Sequence, residues 1–346
     1  KILHRIRSSP ITFTNKAVSE LRHRLQVLLP GVAENIQAHT FHSFCLGILR
    51  ENHNFFNLSR FFNIADEYYQ AEIIRNFLQQ PDEEPKKIKG ILRGIANHKT
   101  KQVPLRNSFM QDAHHYYKNA LLKNNSIDFD DIILMTNTLF TLKPDVLAEW
   151  QGKIAAVLVD EFQDTDINQY KIIRNLAAIH RNITVVADDD QSIFSWRGAN
   201  PENIKMYIQD FRIPAGGIVQ LTQNYRSSKA IYTMASRPLQ QTDRLFPDKE
   251  MRLMGQEGLP VQYHRFQTIE EEAGFIAKTI KDWHLSDFDR RYSDMAIIYP
   301  RHIIGEAIEK ILLKEQIPCQ MATGKSILDH PAIKKIQAYL RFVQNP

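Results

Sequence analysis

The sequence predicts an α/β fold. A parallel sheet flanked by helices is interrupted by an all-helical insertion and followed by part of a second α/β unit. Three observations carry this reading. Short apolar runs alternate with longer segments of helical period, the pattern of parallel strands joined by crossover helices. Two of the runs end in clustered carboxylates, Asp160-Glu161 and Asp188-Asp189-Asp190. Acidic groups at strand ends suit a site at the carboxyl edge of a parallel sheet. Between the second and third runs lies a segment that is helical in pattern and rich in Phe and Tyr.

In chain order, the first unit has candidate strands at 11–13, 36–38, 154–159, 183–187 and 218–221, each a short apolar run. The helical insertion occupies 50–125. A second unit begins after Ser228, with candidate strands at 261–266, 295–299 and 317–321. Helical patterns at 269–283, 304–315 and 332–342 separate or follow them. The resulting partition is a first domain of 1–49 and 126–226, an insertion of 50–125, and a partial second domain of 227–346.

Composition narrows the class. The 346 residues are 43% hydrophobic and 24% charged, as in globular proteins able to bury large cores. No apolar run reaches membrane-spanning length, and no secretory leader is visible. Two cysteines, Cys45 and Cys319, imply no disulfide framework and fit a reducing compartment. The expected location is therefore cytoplasmic and nucleoid-associated, or nuclear in a eukaryote. The formal charge of +5 permits a polyanionic partner. Residues 86–111 hold Lys86, Lys87, Lys89, Arg93, Lys99, Lys101 and Arg106 with no acid among them. This is either a solvated helix face or a phosphate-tracking patch.

The chemistry concentrates in three blocks. The first is Asp160-Glu161-Phe162-Gln163-Asp164-Thr165, directly after an apolar run. Here Asp160 is placed to hold Mg²⁺, and Glu161 to polarise an attacking water and touch the ion through water. The competing reading is a helix cap built from Asp164, Thr165 and Asp166. The second block is Asp188-Asp189-Asp190-Gln191-Ser192-Ile193-Phe194-Ser195-Trp196-Arg197-Gly198. Gln191 can hydrogen-bond a phosphate oxygen. Phe194, Trp196 and Arg197 offer π-faces beside a cation, as a single-stranded nucleic acid site requires; in isolation the two aromatics would read as core. The third is Gln223-Asn224-Tyr225-Arg226-Ser227-Ser228, where Tyr225 can stack on a base and Arg226 can reach a γ-phosphate. His39, His42 and Cys45 fall at metal-like intervals but lack a fourth ligand.

These three blocks, in this order and spacing, resemble superfamily 1 DNA helicases of the UvrD/Rep/PcrA type. Thr12-Phe13-Thr14-Asn15-Lys16-Ala17, Thr40-Phe41-His42-Ser43-Phe44-Cys45 and Ile127-Asp128-Phe129-Asp130-Asp131-Ile132 extend the likeness. Glu271-Glu272-Ala273 and residues 333–346 carry it weakly to the end. The resemblance implies a RecA-like motor domain with a helical subdomain inserted, and part of a second RecA-like domain. It implies ATP and Mg²⁺ as cofactors, and single-stranded DNA and single/double-strand junctions as partners. Asp160, Glu161, Gln191 and Arg226 are then the catalytic set, with Tyr225 on the ATP base. Thr12, Phe13, Asn15, Thr40, His42, Phe194, Trp196 and Arg197 line the DNA path. The expected activity is ATP-driven unwinding, 3′ to 5′, in DNA repair or replication.

Departures from that pattern matter. No Gly-x-x-x-x-Gly-Lys-Thr loop is present, so this stretch alone is expected to be inactive, an excerpt of a longer chain. Ala322-Thr323-Gly324-Lys325-Ser326 has the right ending, but Cys319 stands where the first glycine belongs. Residues 7–10 make an unusually short link. Ala187 and Phe194 replace the usual glycine and tyrosine. Two other readings remain open: a non-catalytic DNA-binding relative, and the motor of a helicase–nuclease.

Overall fold

A computed structural model of the chain describes residues 8–12, 15–31, 38–79, 85–242, 244–247, 249, 251–286, 289–321 and the single positions 333, 336 and 339, with side chains from Val18 onward. The chain divides into two compact units, Lys1–Glu257 and Gly258–Pro346.

The first unit is built on a four-stranded parallel sheet. Its strands are β1 (Ser8–Thr12), β2 (His39–Thr40), β5 (Ala156–Val159) and β6 (Ile183–Val185), ordered β2-β1-β5-β6. Register is tight: Ile11 sits opposite His39 on one side and Val159 on the other. The chain leaves β1 for β2 on one flank and later returns to β5 on the other. The crevice beyond the carboxyl ends of β1 and β5 is therefore a topological switch point, where open α/β sheets bind ligands. Helices α1 (Asn15–Leu28), α2 (Phe41–Glu51), α6 (Phe129–Leu142), α7 (Pro144–Lys153), α8 (Ile167–Ala177) and α9 (Asn203–Asp210) complete the layer structure. The main core joins Phe41, Phe44 and Ile48 of α2, Ile132 and Leu139 of α6, Val157 and Val159 of β5, and Tyr170 and Ile173 of α8. Each such buried side chain contributes about 1.5–3 kcal/mol of transfer free energy.

The helices start where the sequence supplies caps. Asp128 accepts from the Asp131 N–H at 2.8 Å and Asp131 returns the bond. Asp166 accepts from Asn168 and Gln169 N–H at 2.7 and 2.8 Å, with Gln169 reciprocating. Two backbone donors are thus satisfied at the start of α6 and three at the start of α8.

The insertion is helical, with its own core. Helices α3 (Glu67–Leu78), α4 (Pro85–Lys101) and α5 (Ser108–Lys123) bury Ile73, Ile74, Ile88, Ile91, Ile95, Tyr117 and Leu121 together. A two-residue parallel ladder, β3 (Asn63–Ile64) with β4 (Ser126–Ile127), closes its base. Lys99 departs from the solvated basic face read in the sequence. It is buried, with its amine 2.6 Å from both Asp128 and Asp131, and Tyr117 donates to the same Asp128 at 2.9 Å. Lys86, Lys89, Arg93, Lys101 and Arg106 are exposed.

The expected strand at 218–221 does not form. Val219 and Leu221 are each 78% exposed, and a strand without a ladder partner leaves its backbone groups to solvent. The chain instead forms β7 (Gln223–Asn224), which pairs in parallel with β8 (Arg252–Leu253), and α10 (Lys229–Ser236) between them. Residues 227–257 therefore belong to the first compact unit, whereas the partition read from the sequence changed domain after Arg226.

The second unit contains α11 (Ile269–Ser286) and α12 (His302–Lys314), close to the expected helices, packed through Ala273, Ala277, Ile280, Ile308 and Leu312. The strands expected at 261–266, 295–299 and 317–321 do not form among the described residues. The helix expected at 332–342 is described only at positions 333, 336 and 339, which are helical. Residues 322–326, with the decoy Gly-Lys-Ser, lie outside the described residues.

Candidate active site

The expected site residues of the first unit cluster at the carboxyl ends of the sheet strands. Thr12 ends β1 opposite Thr40, which ends β2. Asp160 and Glu161 follow β5 directly, and Asp188 lies just past β6. Phe13 lies outside the described residues. Asn15 opens α1, and its side chain is not among those described.

At the first acidic end, Asp160 is exposed and its Oδ1 accepts from the Glu161 N–H at 3.0 Å. Glu161 adopts a left-handed backbone (φ 51°), unusual for a non-glycine residue and frequent at functional turns. Its Oε2 accepts from the amide of Gln163 at 2.7 Å. Gln163 is buried, and its Oε1 accepts from the Asp188 N–H at 3.0 Å. One side-chain amide thus ties the two acidic strand ends together. Backbone bonds from Val186 to Val159 (2.8 Å) and from Phe162 to Val186 (2.9 Å) fix the same junction. Asp164 is pushed up to about 6, by burial and then by the Glu161 charge, and its buried Oδ1 has no hydrogen-bond partner. Asp160 and Glu161 offer hard carboxylate oxygens of the kind Mg²⁺ takes, but they do not join Asp164 in a three-carboxylate cluster; among the described residues only Asp188, Asp189 and Asp190 bring three ligand oxygens within 4.8 Å of one another. The cap reading is realised at Asp166, whose carboxylate accepts from the first N–H groups of α8.

At the second acidic end, Gln191 donates its amide to Asp188 Oδ2 at 2.6 Å. The loop then exposes Trp196 (67%), with the half-buried Phe194 ring 6.3 Å away. The Arg197 guanidinium lies 5.3 Å from the Trp196 centroid and 5.7 Å from Phe194. The core reading of these aromatics therefore does not hold for Trp196. Gly198 turns the chain with φ 109°, and an added Cβ would meet Thr100 Cβ at 3.3 Å, so the loop closes against the end of α4 only without a side chain.

Thr40 is mostly buried and caps α2, accepting from the Ser43 N–H at 3.1 Å. Burial pushes His42 down to about 4, so its ring is neutral near pH 7. It stacks on Phe129 with centroids 3.7 Å apart. A neutral ring on a phenyl face suits base stacking better than phosphate pairing. Cys45 is fully buried, and burial pushes its thiol up to about 12.

Tyr225 and Arg226 stand apart. Asn224 Oδ1 accepts from the N–H of Arg226 and Ser227 at 2.9 and 3.0 Å, forming a tight turn that presents Tyr225 72% exposed. The Tyr225 hydroxyl donates to Gln223. Among the described residues, no hydrogen bond or ion pair joins either side chain to Asp160, Glu161 or Gln191.

Comparison with known proteins adds the decisive observation. The pattern of the UvrD/REP helicase N-terminal domain matches residues 9–212, and that of the UvrD-like helicase C-terminal domain matches 219–346. The chain belongs to the UvrD/REP helicase family. It is similar to the ATP-dependent DNA helicase PcrA of Bacillus subtilis (strain 168), 36% identical over 348 residues, covering 97% of this chain and 46% of that protein. The PcrA proteins of Staphylococcus aureus (strain Mu50) and Staphylococcus epidermidis (strain ATCC 35984) are 32% and 33% identical over 347 residues, each covering 97% of this chain and 47% of the relative. The chain spans about half the length of these relatives.

Within this UvrD/REP helicase unit, two residues of the site escaped the sequence reading. Gln163 lies in the first acidic block, but its burial between two polar partners depends on the β5–β6 pairing, which the sequence does not display. Phe129 is 53% exposed and stacked on His42, and a Phe at the first position of a helix reads as ordinary core from spacing alone.

Proposed function

We propose that the full-length protein is an ATP-dependent DNA helicase that couples ATP hydrolysis to movement on single-stranded DNA. Asp160 holds Mg²⁺, and Glu161 orients and deprotonates the attacking water. Gln191 and Arg226 contact the γ-phosphate, and Tyr225 stacks on the adenine. Thr12, Phe13, Asn15, Thr40, His42, Phe194, Trp196 and Arg197, joined by Phe129, form the path of the strand. Movement is 3′ to 5′, toward single/double-strand junctions, in repair or replication in the bacterial cytoplasm. We infer a first motor domain with 50–125 inserted in it, followed by part of a second motor domain. Residues 1–346 by themselves contain no phosphate loop and are inactive in this account.

The observation that carries the proposal is the Gln163 bridge. It couples the hydrolytic carboxylate Glu161 to the loop bearing both Gln191 and the Trp196–Arg197 surface. A change at the nucleotide is thereby felt at the strand. The test is steady-state ATP hydrolysis by the full-length protein with and without single-stranded DNA, beside Glu161→Gln. Strong DNA stimulation that the variant loses supports the reading. No hydrolysis under either condition overturns it in favour of a DNA-binding scaffold.

A further inference from the structure

The loop after β6 carries three consecutive carboxylates, Asp188, Asp189 and Asp190, with ligand oxygens within 4.8 Å of one another. Such a cluster invites a cation, and the chain supplies its own. Lys249 Nζ lies 2.5 Å from Asp188 Oδ1, 3.0 Å from Asp189 Oδ1 and 2.8 Å from Asp190 Oδ2. Arg244 grips Asp190 with both arms of its fork, Nε to Oδ1 at 2.8 Å and Nη2 to Oδ2 at 2.7 Å. The N–H groups of Leu245 and Phe246 donate to Asp189 Oδ2 at 3.0 and 3.3 Å. Two cations and two backbone donors from one short segment therefore close on three adjacent acids. Asp189, Asp190, Lys249 and Arg244 have side chains only 5–21% exposed, so the pairs at Asp189 and Asp190 escape much of the solvent screening that weakens surface ion pairs, while Asp188, at 37%, remains open to the solvent side.

Asp188 is the pivot. Lys249 holds one of its oxygens while Gln191 donates to the other at 2.6 Å. A glutamine that senses a γ-phosphate must leave this carboxylate to do so. Its release is easier when the carboxylate's charge is already shared with an ammonium, because a hydrogen bond to an unshared carboxylate is among the stronger neutral-to-ion bonds.

We propose that Lys249, braced by Arg244, is a positioning residue for Gln191: it draws charge from Asp188 so that the Gln191 amide can pass from Asp188 to the γ-phosphate. This rests on the reading of Gln191 under the proposed function. Lys249 touches neither nucleotide nor strand in this scheme and acts only through Asp188. Burial works against the charge on Lys249, but its three carboxylate partners outweigh it and hold the amine above the usual lysine range.

The test is steady-state ATP hydrolysis by the full-length protein at saturating single-stranded DNA. Lys249→Met is expected to lower kcat about tenfold while KM for ATP moves less than about threefold, because the lost interaction acts after nucleotide binding. Lys249→Arg, which restores a cation, recovers most of the rate. Adding Asp188→Asn to Lys249→Met also recovers rate, since a neutral acceptor lets Gln191 go without help. A purely structural clamp would instead lower thermal stability in step with the amount of active protein, leaving kcat per folded molecule unchanged, and that result overturns the inference. An unchanged kcat in a folded Lys249→Met protein does the same. If Lys249→Met does not fold, Arg244→Lys, which keeps the charge and loses the fork, is read by the same kcat and KM criteria. A wild-type protein without DNA-stimulated hydrolysis refutes the proposed function, whereas an active wild type with an indifferent Lys249→Met refutes only the role of Lys249.

Discussion

Removing the Lys99 amine is expected to loosen the helical insertion from α6. Lys99 is on α4 and both of its carboxylate partners are at the start of α6, each 2.6 Å away and each largely or wholly buried. Burial works against the charge on the amine, but Asp131 and Asp128 outweigh it and hold the amine above the ordinary lysine range. Lys99→Met keeps the stem and its packing, and leaves two carboxylates facing each other out of water. Breaking a buried pair by removing one partner costs about 3–5 kcal/mol. Expressed as local opening, that is roughly two to three and a half powers of ten in amide exchange. The assay is hydrogen exchange read by mass spectrometry on peptides covering α4, α5 and the first turn of α6. Lys86→Met, exposed on the same helix, serves as control and is expected to change stability by less than about 0.5 kcal/mol. Combining Lys99→Met with Asp128→Asn and Asp131→Asn returns most of the loss, because no charge is then left buried. If α4 exchanges in Lys99→Met as it does in the control, the triad does not hold the insertion and the reasoning fails.

Two opposed titrations flank the His42–Phe129 stack. Burial holds folded His42 near pH 4 against an ordinary 6.5, so its stability contribution is full above pH 6.5 and falls as pH drops toward 4. Burial raises folded Asp130 to about 7 from 3.8, so its effect runs the other way, with stability rising as pH falls from 7 toward 3.8. Denaturant melts across that window should show His42→Gln losing the acid penalty and Asp130→Asn steepening it, each by up to about 3 kcal/mol; parallel pH profiles in all three proteins would contradict both shifts. Phe129→Ala should weaken single-stranded DNA binding by about 1–3 kcal/mol in fluorescence anisotropy, with little change for duplex; unchanged affinity would remove Phe129 from the strand path. Charge reversal at Lys86, Lys89 and Arg93, one exposed stripe of α4, should weaken duplex binding and flatten its dependence on salt concentration; an unchanged salt slope would leave the stripe a solvated face.

Much of this architecture was legible because local pattern and tertiary context agree. The runs at 154–159 and 183–187 became β5 and β6, and the carboxylates after them sit at the sheet edge because parallel strands all end on one side. Helical pattern together with a Phe- and Tyr-rich composition set 50–125 apart, and its helices have a core of their own. The failures follow from what a sequence window cannot contain. A strand exists by pairing, and 218–221 has no ladder partner among the described residues despite ideal β-formers. Lys99 looked like its basic neighbours, but the period that buries Ile88, Ile91 and Ile95 carries position 99 inward to Asp128 and Asp131, which lie beyond the next helix in sequence. The ion pairs of Arg244 and Lys249 draw 227–257 into the first unit across a gap of more than fifty residues, which no linker signal announces.

The most direct test of the central claim is strand separation. The full-length protein, with ATP and Mg²⁺, is given short duplexes bearing a single-stranded tail at either the 3′ or the 5′ end. The account predicts ATP-dependent unwinding of the 3′-tailed duplex, lost in Glu161→Gln and in Trp196→Ala. Binding to both substrates with no ATP-dependent unwinding of either would contradict it.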